Sequence, residues 1–158
     1  MGPASTITTF MAGQRNGNDV LFADTFYWVA LFDRFDSAHN RALALTAERK
    51  SSHIVTTDEV LAECLNFFSG RPEVLRSAVA EKARDFLSDP AIDVIPQSRN
   101  SFRAGLELYI RRPDKGYSLT DCISMEAMRR EGLTEVLTDD HHFEQEGFRA
   151  LFREPWTY

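Results

Sequence analysis

Short apolar runs alternate along this chain with longer segments of helical periodicity. The first run is Val20 to Ala23, and the third is Ile92 to Ile95. Continuous apolar runs of this length are typical of strands buried on both faces, and a helical segment between successive strands is typical of a parallel sheet. The alternation predicts an α/β fold, in which helices cover both faces of a central, mostly parallel sheet of four to five strands.

Turn and capping signals set the predicted boundaries, with Gly70 and Gly132 ending two helices. Strands are predicted at Val20 to Ala23, His53 to Thr56, Ile92 to Ile95, Glu135 to Leu137 and Phe148 to Phe152, the last being a strand or an extended end. Helices are predicted at Thr25 to Phe32, Ser37 to Lys50, from the Thr56-Thr57-Asp58 start signal to Ser69, and at Glu73 to Leu87, Ser98 to Arg112, Leu119 to Glu131 and His141 to Glu146.

The 158 residues fit one domain. Residues 1–19 are small, polar and rich in Gly and Asn, so we expect a loose tail before a domain at 20–158. No apolar run approaches the ~18 residues of a membrane span, and no secretory signal pattern is present. Cys64 and Cys122 form no metal-binding spacing, which favours reduced, buried thiols in a cytoplasmic protein.

The net charge of −6, from 18 basic and 24 acidic residues, argues against nucleic-acid binding when taken alone. Cations bound to several of these acids would offset much of the negative charge. Where the acids lie therefore matters more than their number.

Acids are predicted at the carboxyl ends of two strands. Asp24 follows the first strand, and Asp139 and Asp140 follow the fourth, just beyond Thr138. In open α/β sheets, ligands bind outside the carboxyl ends of the strands. Asp24 and the acid after Thr138 become neighbours if their two strands lie close together in the sheet.

Two further acids lie on apolar helix faces. Glu63 is surrounded on the helical wheel by apolar residues, whereas Glu59 is predicted to face solvent. Asp121 lies in the first turn of a mostly apolar helix that follows Ser118. An ionisable side chain within an apolar stripe lowers the stability of the fold unless it is paired with an opposite charge or binds a cation.

Clustered carboxylates suit a hard divalent cation such as Mg²⁺ or Mn²⁺, and one or two such ions can promote phosphodiester hydrolysis. Each acid also has a structural explanation. Ser118 and Asp121 match a capping box, and Asp24 and Asp139 or Asp140 are possible helix N-caps. The joint pattern is more informative than any single member.

The motifs resemble the PIN-domain family, and in particular its VapC-type toxin ribonucleases. The resemblance runs from about Val20 to Leu151. Its segments are Leu21-Phe22-Ala23-Asp24-Thr25, Thr56-Thr57-Asp58-Glu59-Val60-Leu61-Ala62-Glu63, Ser118-Leu119-Thr120-Asp121-Cys122, Val136-Leu137-Thr138-Asp139-Asp140-His141-His142-Phe143 and Gly147-Phe148. Each motif is weak alone, but their order and spacing are specific.

The resemblance implies a PIN-like three-layer α/β/α sandwich and a catalytic metal site formed by Asp24, Glu63, Asp121 and Asp140. It implies hydrolysis of RNA by a metal-activated water, an antitoxin partner and a homodimer. Thr138 matches a hydroxyl position of the family. The family usually has a non-acidic residue where this chain has Asp139, so the last acid is open between Asp139 and Asp140, with Asp140 favoured by the Thr-x-Asp spacing.

Supporting roles are predicted for Thr25, Thr138, Asp139 and Ser118, and RNA phosphate contacts for Arg111, Arg112 and Lys115. The alternative for the basic cluster is a solvated helix end. His141 and His142 are weaker candidates because imidazole is a softer ligand than this site needs. His39 is a weaker candidate because a helix-start contact explains it better. The alternative functions are a non-toxin RNA-processing nuclease, an inactive nucleic-acid or protein binding module, and a DNA-directed PIN-like nuclease.

A phosphatase of the haloacid dehalogenase type needs a second Asp where this chain has Phe26, which excludes that class. A phospho-receiver domain needs a Lys near the last strand, and no Lys follows Lys115.

Overall fold

A computed structural model describes residues 20–156 of the protein. The strands are β1 Val20–Ala23, β2 His53–Thr57, β3 Ile92–Ile95, β4 Glu135–Leu137 and β5 Arg149–Ala150. The helices are α1 Thr25–Phe32, α2 His39–Glu48, α3 Asp58–Phe68, α4 Glu73–Phe86, α5 Arg99–Arg111, α6 Leu119–Glu131 and α7 His141–Gln145, and a 3₁₀ turn follows at Leu151–Arg153. The α/β class and the helices flanking a parallel sheet are confirmed.

The sheet has five strands in the order β3-β2-β1-β4-β5, and every pair is parallel. The chain moves outward from β1 through β2 to β3 and then returns to the other side of β1 to form β4. The strand order therefore reverses between β1 and β4, and a ligand crevice is expected at the carboxyl end of this pair.

The predicted fifth strand is shorter than expected. Only Arg149–Ala150 pairs with β4, and Leu151–Arg153 turns into the 3₁₀ helix. The apolar pattern is the same for both conformations, because Leu151 is buried in the turn just as it would be in a strand. The predicted tail, residues 1–19, lies outside the described residues.

The core forms around β1, whose Leu21, Phe22 and Ala23 are fully buried. Both cysteines of the chain, Cys64 and Cys122, are free and buried, as predicted. None of the helices within residues 20–156 is long and apolar enough to cross a membrane.

Helix α6 is fixed at both ends and along one side. Ser118 caps its start, and Gly132 ends it in a left-handed conformation with φ 69°. Helix α5 approaches α6 closely at Gly105, where an added Cβ would lie 2.4 Å from Cγ1 of Ile123. Only glycine permits this approach of α5 to α6.

Candidate active site

The first predicted acid, Asp24, lies where β1 ends and α1 begins. Its side chain is buried, with 5% of the residue exposed. Oδ2 of Asp24 accepts a hydrogen bond of 2.9 Å from the hydroxyl of Thr138, which follows the neighbouring strand β4 and is itself fully buried. Because β1 pairs directly with β4, the condition under which the two strand ends were predicted to be neighbours is met.

Thr138 also fixes the segment that follows it. Its hydroxyl oxygen accepts a hydrogen bond of 3.2 Å from the backbone N–H of Asp140. Asp140 is the N-cap of α7, and its Oδ1 accepts from the N–H of His142 at 2.9 Å. One threonine hydroxyl therefore connects Asp24 to the backbone of Asp140.

Asp139 and Asp140 lie in different environments. The Asp139 side chain is exposed and lies near Arg153, at 3.8 Å between Oδ1 and the guanidinium. Asp140 lies near Asp121, and the negative charge of Asp140 adds to the effect of burial in raising the pKa of Asp121. The geometry therefore places Asp140 with the other acids and leaves Asp139 at the surface.

Asp121 and Ser118 form the predicted capping box. The backbone N–H of Ser118 donates to Oδ2 of Asp121 at 2.9 Å, and the N–H of Asp121 donates to the Ser118 hydroxyl at 3.0 Å. The structural explanation for Asp121 is thus confirmed, and it is compatible with a role at the site because the capping box involves only one carboxylate oxygen, Oδ2.

Electrostatics link these side chains to Glu63. Burial and the charges of Asp121 and Glu63 together raise the pKa of Asp24 from 3.8 to about 7. Hydrogen bonds from Thr138 and from the backbone of Thr25 offset part of this rise. Burial likewise raises the pKa of Asp121, with added contributions from Asp140 and Glu63. Asp24 and Asp121 are thus each shifted by the charges of two other predicted site acids, as expected for a single cluster.

Glu63 reaches the cluster from α3. It is half-buried, and its neighbours Val60, Leu61 and Cys64 on that helix are buried. The helix is set by its N-cap, because the Thr57 hydroxyl accepts from the N–H of Val60 at 3.1 Å. The position of Glu63 on an apolar helix face, which suggested a site residue from sequence, is the position found.

The donor set fits a divalent cation. The four side chains supply hard carboxylate oxygens, which Mg²⁺ and Mn²⁺ prefer. Burial and the negative charges of the neighbouring acids disfavour the ionised form of the Asp24 carboxyl. A bound cation would offset both effects. The Thr25 hydroxyl beside it is buried and has no hydrogen-bond partner among the described residues. A buried, unpartnered oxygen of this kind is suited to a ligand or a ligand water.

Tyr117 and Glu146 support the site, and neither was predicted from the sequence. The Tyr117 ring lies against His142, with 5.1 Å between ring centroids, and the Tyr117 hydroxyl donates to Oε1 of Glu146 at 2.9 Å. Glu146 also accepts from Arg112 at 2.6 Å and from Arg129 at 2.5 Å. These contacts join the loop before Ser118 to α7, and no sequence signal predicted them because the partners come from four separate segments.

The three basic residues predicted to contact RNA differ in their pairing. Arg112 is held by Glu146 and Asp114. Arg111 is largely exposed and lies 3.9 Å from Glu126, and Lys115 lies 3.7 Å from Asp114. Ion pairs at these distances in which one partner is exposed are weak. Arg111 and Lys115 are thus more available for phosphate groups than Arg112. Nδ1 of His39 donates to the backbone carbonyl of Ala30 at 2.8 Å, which gives His39 a structural contact.

The family profile of the PIN domain matches residues 21–148, a span that includes all four acids. The chain belongs to the PIN-domain family. A curated relative of this PIN domain is the 23S rRNA-specific endonuclease VapC20 of Mycobacterium tuberculosis, which is 27% identical over 129 residues and covers 82% of this chain and 95% of the relative. The VapC-type resemblance inferred from the motifs is confirmed.

Solved structures agree with the fold of this PIN domain. The crystal structure of VapC20 from M. tuberculosis, described as a toxin that cleaves the sarcin-ricin loop, matches with a TM-score of 0.72 and 25% identity, covering 81% of this chain and 95% of that one. FitAcB from Neisseria gonorrhoeae matches at 0.62 with 12% identity, covering 82% and 94%. VapBC2 from Rickettsia felis, bound to a promoter DNA fragment, matches at 0.58 with 19% identity, covering 83% and 96%. The last two support the fold alone.

Proposed function

We propose that this PIN domain is a metal-dependent endoribonuclease that hydrolyses RNA phosphodiester bonds in the cytoplasm, as the toxin of a toxin–antitoxin pair. The observation that supports it most directly is the convergence of Asp24, Glu63, Asp121 and Asp140 at the carboxyl end of β1 and β4, where the strand order reverses. Carboxylates gathered at a ligand crevice, two of which (Asp24 and Asp121) have raised pKa values through burial and the charges of the others, are expected where a divalent cation binds.

In this proposal the four acids hold one or two Mg²⁺ or Mn²⁺ ions. A bound ion supplies an activated water and stabilises the charge that develops on the phosphate. Thr138 orients the Asp24 carboxylate through its 2.9 Å hydrogen bond. Ser118 fixes Asp121 through the capping box. Arg111 and Lys115 are the side chains available to hold phosphates next to the site.

The proposed substrate is a folded RNA, and ribosomal RNA is the first to test, because the relative VapC20 is named as specific for 23S rRNA. The proposed protein partners are a small antitoxin and a second copy of this chain. Large apolar side chains remain exposed on several helices, among them Phe67 of α3, Val74 of α4 and Phe102 of α5, and they are candidates for burial in such interfaces. Light scattering of the purified protein tests the homodimer.

The deciding experiment compares Mn²⁺-dependent cleavage of RNA by the wild type and by Asp121→Asn. An amide at position 121 keeps a hydrogen-bond acceptor for the capping box but removes the charge. We expect kcat/KM to fall by about 10²–10³-fold, the usual loss when one catalytic electrostatic group is removed. The matched control is Asp85→Asn, an exposed aspartate on α4 whose ion pair with Lys82 is at the surface.

Equal cleavage by the wild type and Asp121→Asn would overturn the metal-site proposal. A wild type that binds RNA without cleaving it would instead support the inactive binding module. Activity on flap DNA in preference to RNA would support the DNA-directed nuclease. Cleavage of RNA without growth arrest on expression in cells would support a processing enzyme over a toxin.

A further inference from the structure

His142 lies inside the acidic cluster. Its Nδ1 is 3.2 Å from Oδ1 of Asp140 and 4.0 Å from Oδ2 of Asp121. This nitrogen is buried and makes no hydrogen bond with the described residues, because the contact with Asp140 is close enough for ion pairing but lacks hydrogen-bond geometry. A buried ring nitrogen facing two carboxylates without such a bond has the position of a ligand atom.

The His142 ring is held in this orientation from the opposite side. Tyr117 packs edge-on against it, and Tyr117 is in turn tied to Glu146. Gly116 lies against the far edge of the ring, where an added Cβ would be 3.7 Å from both Cε1 and Nε2. The ring is thus enclosed on the side away from the acids, so its Nδ1 is kept pointing toward them.

His141 provides a comparison within the same helix. Its Nδ1 is 3.7 Å from Oδ1 of Asp140, and ligand atoms of Asp140, His141 and His142 all lie within 4.8 Å of one another. The His141 side chain is 56% exposed, however, against 20% for His142, and only His142 also approaches Asp121. The geometry therefore distinguishes the two histidines in favour of His142.

We propose that Nδ1 of His142 is a nitrogen ligand of the bound metal, adjacent to Asp140 and Asp121, and that it makes the site prefer a transition-metal ion such as Mn²⁺ to Mg²⁺. This inference rests on the proposed function, since it deepens the same metal site. Ligand atoms bonded to one ion at 2.0–2.2 Å lie roughly 3 Å apart, close to the observed separation from Asp140. Imidazole binds transition-metal ions, whereas Mg²⁺ takes oxygen ligands almost alone.

The test is pulsed electron paramagnetic resonance of the wild type loaded with Mn²⁺. A directly bound imidazole gives a ¹⁴N coupling, which is replaced by a ¹⁵N coupling when the protein is labelled with ¹⁵N-histidine. We expect this coupling in the wild type and in His141→Gln, and its loss in His142→Gln. Absence of histidine coupling in the wild type, or a coupling that persists in His142→Gln, would overturn the proposal.

A second readout is the ratio of the Kd values for Mg²⁺ and Mn²⁺, measured by calorimetry. His142→Gln should lower this ratio by about tenfold or more, since even residues that only support a metal ligand contribute 10–100-fold to affinity. His142→Asn, which can place an amide oxygen near the position of Nδ1, serves as the variant if His142→Gln does not fold by circular dichroism. An unchanged ratio in the folded variant would contradict the proposal.

The two proposals fail in different ways. A wild type that cleaves RNA and binds Mn²⁺ without a histidine coupling refutes the role of His142 and leaves the nuclease proposal standing. A wild type that binds neither ion and cleaves no RNA refutes both.

Discussion

The Thr138 hydroxyl donates a 2.9 Å hydrogen bond to Oδ2 of Asp24, across 114 residues of sequence. Both residues directly follow parallel strands that pair side by side, β1 and β4. The same hydroxyl accepts from the backbone of Asp140, so it connects two of the four acids. Because all of these groups are buried or half-buried, their hydrogen bonds are expected to matter both for stability and for the geometry of the site.

Thr138→Val removes this hydroxyl while keeping the shape of the side chain. The Asp24 oxygen then loses its buried donor, and we expect unfolding in urea to show a destabilisation of about 1–3 kcal/mol. RNA cleavage should fall as well, because the carboxylate is no longer oriented. Thr138→Ser, which keeps the hydroxyl, is the control and should retain most of the activity. A Thr138→Val protein with wild-type kcat/KM would show that the bond has no catalytic role.

Asp24→Asn is expected to change how stability depends on pH. Burial and the charges of Asp121 and Glu63 together raise the pKa of Asp24 from 3.8 to about 7, so the folded state favours the protonated carboxyl. The stability that this provides is complete below pH 3.8 and is lost as pH rises to about 7. Without divalent cations, the Tm of the wild type should therefore fall relative to that of Asp24→Asn across this range.

Adding Mn²⁺ at neutral pH should restore the Tm of the wild type more than that of Asp24→Asn, because a ligand bound only by the folded state stabilises it. Parallel Tm profiles with pH for the two proteins would contradict the assignment of the raised pKa to Asp24.

Asp139→Asn and Asp140→Asn should separate the two adjacent acids. Asp140 lies among the other acids, whereas Asp139 lies at the surface near Arg153. We expect Asp140→Asn to lower kcat/KM by about 10²-fold or more, and Asp139→Asn to leave it within a few-fold of the wild type. Steady-state cleavage of one RNA oligonucleotide by both variants measures the difference. The reverse order of activities would assign the last ligand to Asp139.

Glu146→Gln removes a charge that accepts hydrogen bonds from Tyr117, Arg112 and Arg129. Burial opposes the charge, but these bonds and the two guanidinium groups outweigh it and lower the pKa of Glu146. We expect the free energy of unfolding to fall by about 1–3 kcal/mol. This is less than the loss for a fully buried ion pair, because both arginine side chains are partly exposed.

The matched control for Glu146 is Glu131→Gln, whose partner Arg130 is exposed. Its unfolding free energy should stay within about 0.5 kcal/mol of the wild type. Equal effects of the two substitutions in urea denaturation would show that the Glu146 contacts do not hold the loop before Ser118.

Gly105→Ala tests the contact between α5 and α6. The new methyl group would lie 2.4 Å from Cγ1 of Ile123 and 3.0 Å from its backbone nitrogen, so a side-chain rotation alone cannot make room. We expect a loss of stability of about 1–3 kcal/mol and lower activity, because α6 carries Asp121. Gly70→Ala is the control, since nothing lies within 4 Å of an added Cβ there. Its Tm should match that of the wild type.

The sequence by itself determined the fold class, the strand positions and the candidate acids. Local signals were sufficient for these features: buried strands appear as short apolar runs, Ser118 and Asp121 form a capping box within four residues, and Glu63 stands out on an apolar helix face. The sequence did not distinguish a strand from a 3₁₀ turn at Leu151, because a buried residue gives the same apolar pattern in both conformations.

The tertiary structure alone decided which groups meet. The order of strands places β4 beside β1, and that pairing brings Thr138 to Asp24. Sequence spacing does not specify the contact of His142 with Asp121 or of Tyr117 with Glu146, because each pair joins segments whose separation is set by packing. Local propensity fixes where helices and strands lie, but the chemistry of the site depends on long-range contacts that only the folded chain creates.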